Sequence, residues 1–158
     1  LSNPMLWSLE VPQQYKAITE IKKGNRIIDV VETKFGVRSI KFDGKKGFLL
    51  NDKAIILKGG CIHHDNGPLG AVSIERAEER KVELLKRNGY NAIRMSHNPE
   101  DYHLYFNQNW KKDLQAMILS GRNHPSIIMW SIGNEIWEAP DLVGVEFAEK
   151  IIKEVKAV

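Results

Sequence analysis

Ser126-Ile127-Ile128-Met129-Trp130-Ser131-Ile132-Gly133-Asn134-Glu135 is a near-continuous apolar run that ends, without a linker, in an amide followed by a carboxylate. A run apolar on both faces predicts a central strand of a parallel sheet, covered above and below. In parallel α/β architectures the chemistry gathers at the carboxyl ends of the strands. Asn134 and Glu135 stand at that place, so every other feature of the chain is weighed by whether it can reach Glu135.

Working back from this run, residues 101–121 predict a helix with Trp110, Leu114, Met117 and Ile118 at helical spacing, and Asn123-His124-Pro125 turns the chain into the strand. Tyr90 to Met95 predicts a short strand that leads to Ser96-His97-Asn98-Pro99. Residues 73–88 predict a helix, capped by Ser73 and stopped by Asn88-Gly89. Phe48-Leu49-Leu50 and Ala54 to Leu57 predict a small hairpin around Asn51-Asp52-Lys53, running on to Gly59-Gly60-Cys61-Ile62-His63-His64-Asp65. Downstream, Asp141 can cap a last helix whose Val143, Phe147, Ile151 and Val155 form an apolar stripe. Strand and helix alternate, which argues for parallel βα units.

The first part of the chain differs. Tyr15 to Lys22, Ile27 to Thr33 and Arg38 to Phe42 predict strands joined by turns, hence an antiparallel sheet that is part of a sandwich. The polar, Gly-containing break Asp43-Gly44-Lys45-Lys46-Gly47 sets a domain boundary, dividing residues 1–43 from 44–158.

The 158 residues suffice for a domain with a real core but not for a complete eight-stranded barrel, which takes ~250 residues. The net charge of +3 comes from interspersed cations and anions, which fits solvated faces and excludes a nucleic-acid track. No apolar run is long enough for a membrane span. Cys61 is the single cysteine, expected as a small buried side chain, and leaves the compartment open between cytoplasm and periplasm. The chain begins at Leu1 without a signal peptide, so the natural N-terminus is expected elsewhere.

Three predicted strand ends face one side and present His63, His64, Asp65, His97, Asn134 and Glu135. Imidazoles and an amide hydrogen-bond the hydroxyls of a polyol. A carboxylate near apolar groups such as Trp130 and Trp137 can have its pKa raised and act as a general acid. Protonating a leaving oxygen is half of a glycosidase. Each residue also has a plainer reading. Glu135 suits a solvated strand end or a helix cap, the His pair a loop, and His97 a turn; His103, His124 and Trp110 read as structural. His63, His64, Asp65 and His97 could also supply metal ligands, but their spacing matches no metal motif, and adjacent His63 and His64 on a strand point to opposite faces unless the loop turns sharply.

Leu57 to Asp65, Asn91 to Pro99 and Asn123 to Glu135 together resemble glycoside hydrolase family 2, and His63-His64-Asp65 with Asp101-Tyr102-His103 resembles its bacterial β-galactosidases. Asn3 to Ser8 and Phe35-Gly36-Val37-Arg38 resemble the end of the immunoglobulin-like domain that precedes the family's barrel. The resemblance implies part of a (β/α)8 TIM barrel preceded by part of an antiparallel immunoglobulin-like β-sandwich. It implies retaining hydrolysis of terminal β-D-galactosides or related oligosaccharides, with Glu135 as acid/base, Asn134 on the sugar's 2-hydroxyl, His63 and His97 lining the sugar subsite, and Arg94 near the catalytic carboxylates. β-Glucuronidase or β-mannosidase activity, or a non-catalytic carbohydrate-binding fragment, remain as alternatives. Mg²⁺ near the acid/base is left open, with no metal ligand assigned, and a homo-oligomer is left open too.

Two departures from the family bear on activity. Glu100 runs straight into Asp101, where the family has a further βα unit. The family's nucleophilic glutamate lies on a later strand and is not among these residues; Asp65, Glu138 and Asp141 are the remaining carboxylates nearby. The 158 residues by themselves are therefore expected to be inactive.

Overall fold

A computed structural model describes residues 1–95, 103–134 and 142–158. Strands β1 (Tyr15–Lys23) and β2 (Arg26–Phe35) form an antiparallel ribbon, paired from Lys23↔Arg26 at the turn to Tyr15↔Phe35 at the open end, with the register shifted between Ile21 and Lys22. Gly24 in the turn has φ 61°, a conformation that costs glycine nothing. Nearly every ribbon residue is exposed. The third strand does not join them. Strand β3 (Ile40–Asp43) pairs instead with β4 (Gly47–Leu50), and β4 with the short β5 (Lys53–Ala54).

The Asp43-to-Gly47 break is thus a hairpin turn between β3 and β4. Its chemistry explains why it turns rather than links. The Asp43 carboxylate accepts the N–H groups of Lys45 and Lys46, each at 2.8 Å, and these bonds hold its pKa below the ordinary carboxylate range.

The hairpin carries a hydrophobic core cluster. Trp7, Phe48 and Leu50 are buried together, with Leu9, Ile40, Ile55 and Ile128 against them. The Trp7 N–H donates to the Val37 carbonyl at 2.8 Å, and its own carbonyl accepts from Asn51 Nδ2 at 3.0 Å. Ile128 brings the beginning of the opening run into this core.

Strands β6 (Gly59–Ile62) and β7 (Ala92–Met95) are parallel, with helix α1 (Glu75–Arg87) as crossover. Asn91 clips the strand starts together: its Oδ1 accepts from the Lys58 N–H at 2.7 Å and its Nδ2 donates to the Ile56 carbonyl at 3.0 Å. Gly59 is needed for the close approach, since a Cβ there would lie 2.2 Å from the Ala92 carbonyl oxygen. Ser73 does not cap α1. Ile74 holds the cap position without a side-chain bond, and Ser73 Oγ turns to Glu78 Oε1 at 3.5 Å. No α1 residue is buried.

Helices α2 (His103–Gly121) and α3 (Leu142–Ala157) pack as the stripe predicts, through Phe106, Trp110 and Phe147, with ring centroids 5.2–6.4 Å apart. Ile118 and Ile151 are buried, while Met117 is exposed. Lys111 and Gln115 on α2 both hold Glu154 on α3, and the Lys111 bond, at 3.0 Å, is the main reason the Glu154 pKa is lowered. Among the described residues no helix is long and apolar enough to cross a membrane.

Two expectations fail here. The run 127–134 is not a strand: its described residues join no ladder. A strand exists only against a neighbour, and among the described residues β7 is paired with β6 alone. Cys61 is exposed rather than buried, and among the described residues its strand β6 likewise has a single strand partner. The described elements form no closed barrel.

Candidate active site

The parallel register puts Ile62 opposite Met95, so β6 and β7 end level with one another. Arg94, one residue before that edge, reaches sideways in two directions. Nη1 lies 3.7 Å from Cys61 Sγ on its register partner, and Nη2 donates to Asn134 Oδ1 at 2.9 Å. A guanidinium has only donors, so its partner must be the amide oxygen, and the amide NH₂ of half-buried Asn134 is left as the donor. Ser131 Oγ donates to the Gly133 carbonyl at 2.9 Å and shapes the approach to Asn134.

This contact places the end of the opening run at the carboxyl ends of the parallel strands, although no ladder connects them. Glu135 follows Asn134 directly in sequence; it lies outside the described residues, as do His97, Trp137, Glu138 and Asp141. His63 and His64 follow β6 and line an open groove of about 710 Å³ with Ser73, Glu78, Val82 and Met95. Arg94 and Asn134 are not among its lining residues. The structure therefore brings Arg94 and Asn134 together, and sets His63 at the end of the adjacent strand.

The loop that carries the histidines is fastened to α1. Asn66 Nδ2 donates to Glu78 Oε1 at 2.7 Å and to the Val72 carbonyl at 3.0 Å, and Lys81 pairs with Glu78 Oε2 at 3.0 Å. The Asn66 bond, then the Lys81 bond, hold the Glu78 pKa below the ordinary glutamate value. Sequence reasoning missed both Asn66 and Glu78; a lone Asn in a Gly- and Pro-containing loop carries no such signal. Asp65 is turned into its own loop, accepting the Gly67 N–H at 2.8 Å.

The described residues do not fit a Mg²⁺ site. Among them no three His, Cys, Asp or Glu side chains converge on a point, and Asp65 is engaged by its loop.

The family model for glycosyl hydrolases family 2 matches residues 1–38, and that for the family's TIM barrel domain matches residues 41–111 and 106–158. The chain belongs to glycosyl hydrolase family 2. The beta-galactosidase BoGH2A of Bacteroides ovatus is 36% identical over 168 residues, covering 87% of this chain and 20% of that protein. A beta-glucuronidase of Bacteroides fragilis is 29% identical over 174 residues, covering 89% of this chain and 25% of the relative. The crystal structure of a glycosyl hydrolase family 2 member from Bacteroides cellulosilyticus superimposes with a TM-score of 0.92 at 41% identity, covering 98% of this chain and 24% of that one. The chain thus spans about a fifth to a quarter of these relatives' lengths. With the parallel β6–β7 pair, these matches make the described fold part of a TIM barrel preceded by a β domain.

Proposed function

We propose that the protein carrying these residues is a retaining β-glycosidase that cleaves terminal β-D-galactosides, with Glu135 as its acid/base. The observation that carries this reading is the Arg94–Asn134 bond at the strand ends, immediately before Glu135 in sequence. Arg94 holds the Asn134 amide so that its NH₂ donates to the sugar's 2-hydroxyl, a contact that strengthens in the transition state. Glu135 gives its proton to the glycosidic oxygen as that bond breaks, then takes one from water as the covalent intermediate is hydrolysed. His63 and His97 line the sugar subsite.

Retention requires a second carboxylate ~5–5.5 Å from the first. Asp65 Oδ1 accepts the Gly67 N–H in its own loop, and the family's nucleophilic glutamate lies on a later strand, so the proposal assigns the nucleophile to residues outside these 158.

The same reading divides the chain into the end of an immunoglobulin-like sandwich, residues 1–43, and the first half of the barrel, residues 44–158, lacking one βα unit between 100 and 101. Two findings support the missing unit. The barrel model matches in two pieces that overlap at residues 106–111, a few residues beyond that point, rather than as one continuous stretch. The alignment with BoGH2A also runs over more positions than 87% of a 158-residue chain supplies, so the relative carries residues this chain lacks. A missing neighbour would leave the run 127–134 without a ladder, as observed.

β-Glucuronide hydrolysis is the second reading, favoured by the Bacteroides fragilis relative. A panel of aryl β-galactoside, β-glucuronide and β-mannoside on the full-length protein separates them. The highest kcat/KM is expected on the galactoside, with the β-anomer formed first by NMR. An α-anomer as first product would reject retention, and binding of sugar without turnover would reject an enzyme altogether.

A further inference from the structure

Arg38 lies in the crossing between the β1–β2 ribbon and β3, at the join of the two family matches. Its side chain reaches 87 and 89 residues along the sequence. Nε donates to the Pro125 carbonyl, and Nη2 donates to the Ile127 carbonyl at 2.6 Å. The chain is pressed close at this point: a Cβ on nearby Gly36 would lie 2.5 Å from Pro125 Cγ. Arg38 is half-buried, and desolvation lowers its pKa from the ordinary guanidinium value. Both partners are neutral carbonyls, so a charge has been withdrawn from water to hold backbone.

The carbonyls it holds begin the run that ends in Asn134. Among the described residues that run has no ladder to set its register. It is held at the base by three features: Arg38 on Pro125 and Ile127, Ile128 in the Trp7 core, and Trp130 against Gly121, where a Cβ would lie 2.5 Å from Trp130 Cη2. At the far end Arg94 donates to Asn134, the one side-chain bond among the described residues that ties this end to a parallel strand, while Ser131 Oγ donates within the run to the Gly133 carbonyl.

We propose that Arg38 is a positioning residue that sets the register of run 127–134 from the preceding segment, and so fixes where Asn134, the residue before Glu135 in sequence, stands at the strand ends. A one-residue slip in an extended chain moves every residue by ~3.3 Å and turns it to the opposite face. The 2.9 Å Arg94–Asn134 bond cannot survive that. The catalytic part of this proposal rests on the glycosidase reading above; the structural part does not.

The test uses the full-length protein with Arg38→Ala and Arg38→Lys. A misplacement of ~1 Å at a reacting centre costs about a hundredfold in rate. Arg38→Ala is expected to lower kcat by about that factor with a smaller change in KM, and to speed amide exchange in 127–134 while exchange in 47–54 and α1 stays as in the parent. Added methylguanidinium is expected to restore both, which a general loss of packing would not allow. Arg38→Lys keeps one donor in reach and is expected to fall between. Parent-like kcat and exchange in Arg38→Ala would overturn the proposal, as would exchange that rises equally throughout. Should Arg38→Ala fail to fold, Arg38→Lys decides, and parent-like behaviour there overturns it. A parent without turnover would refute the glycosidase reading, and the exchange measurements would still decide the role of Arg38.

Discussion

The Arg94–Asn134 bond predicts a specific non-additivity. Arg94→Met keeps the length of the side chain and removes its donors. The amide oxygen of Asn134 then loses a charge-assisted partner at 2.9 Å. Hydrogen bonds to charged groups contribute ~1.5–3 kcal/mol, and the exposure of Arg94 in the described structure argues for the lower end of that range. At ~1.4 kcal/mol per tenfold, kcat/KM on an aryl β-galactoside should fall about tenfold or somewhat more. Asn134→Ala removes the same bond together with the donor to the sugar, so it should cost more. If Arg94 acts through Asn134, the double variant should be scarcely worse than Asn134→Ala, with a coupling close to the whole Arg94→Met effect, about 1.5 kcal/mol. The assay is a double-mutant cycle on kcat/KM in the full-length protein. Additive effects, within ~0.3–0.5 kcal/mol, would show that Arg94 and Asn134 act separately and would refute the orienting role.

Three further outcomes are expected. Leu50→Ala, in the hairpin core at 4% exposure, should destabilise the protein by ~2–5 kcal/mol in urea unfolding; a loss under ~1 kcal/mol would mean that the Trp7–Phe48–Leu50 cluster is not the anchor described. Acid should weaken the fold through carboxylates whose pKa is lowered, Glu78 by Asn66 and Glu154 by Lys111. Their contribution is present at neutral pH and lost as pH falls through those lowered values, so the thermal midpoint should drop below the ordinary carboxylate range, and Glu78→Gln should flatten part of that drop; an unchanged pH profile in Glu78→Gln would contradict the loop clamp. The 158 residues expressed alone should show no turnover and should bind a hydrophobic dye, because Ile18, Ile28, Val31 and Met129 are all more than half exposed; measurable hydrolysis by a chain of verified mass would contradict the assignment of the nucleophile to residues elsewhere.

Local signals in the sequence translated well where the structure needs nothing distant. Lys23-Gly24-Asn25 makes the β1–β2 turn, Asn88-Gly89 ends α1 with Gly89 at φ 84°, and the stripe through Phe147 and Ile151 finds α2. Failures came where an element depends on a partner. The apolar run 126–134 has the composition of a buried strand, yet a ladder needs a neighbour that the described residues do not supply. Cys61 was expected to be buried for the same reason and is exposed. β3 was grouped with the ribbon because periodicity says nothing of which strand it will meet.

The site was legible in part. Arg94 and Asn134 came from the family resemblance, and the structure joins them. His97 and Glu135 lie outside the described residues. In the sequence Arg38 stands out as one end of a short strand and as part of Phe35-Gly36-Val37-Arg38 in the family resemblance, but its role does not, because no local pattern reports that a side chain will cross to carbonyls 87 and 89 residues away. The Asn66–Glu78 clamp was invisible for the same reason on a smaller scale.

The central claim is that Glu135 carries the proton in glycoside cleavage. The most direct measurement is kcat/KM of full-length Glu135→Gln on two aryl β-galactosides, one with a good and one with a poor leaving group. The account predicts a loss of at least ~10²-fold on the poor leaving group, which needs protonation, and a much smaller loss on the good one. Parent-like hydrolysis of the substrate with the poor leaving group would contradict it.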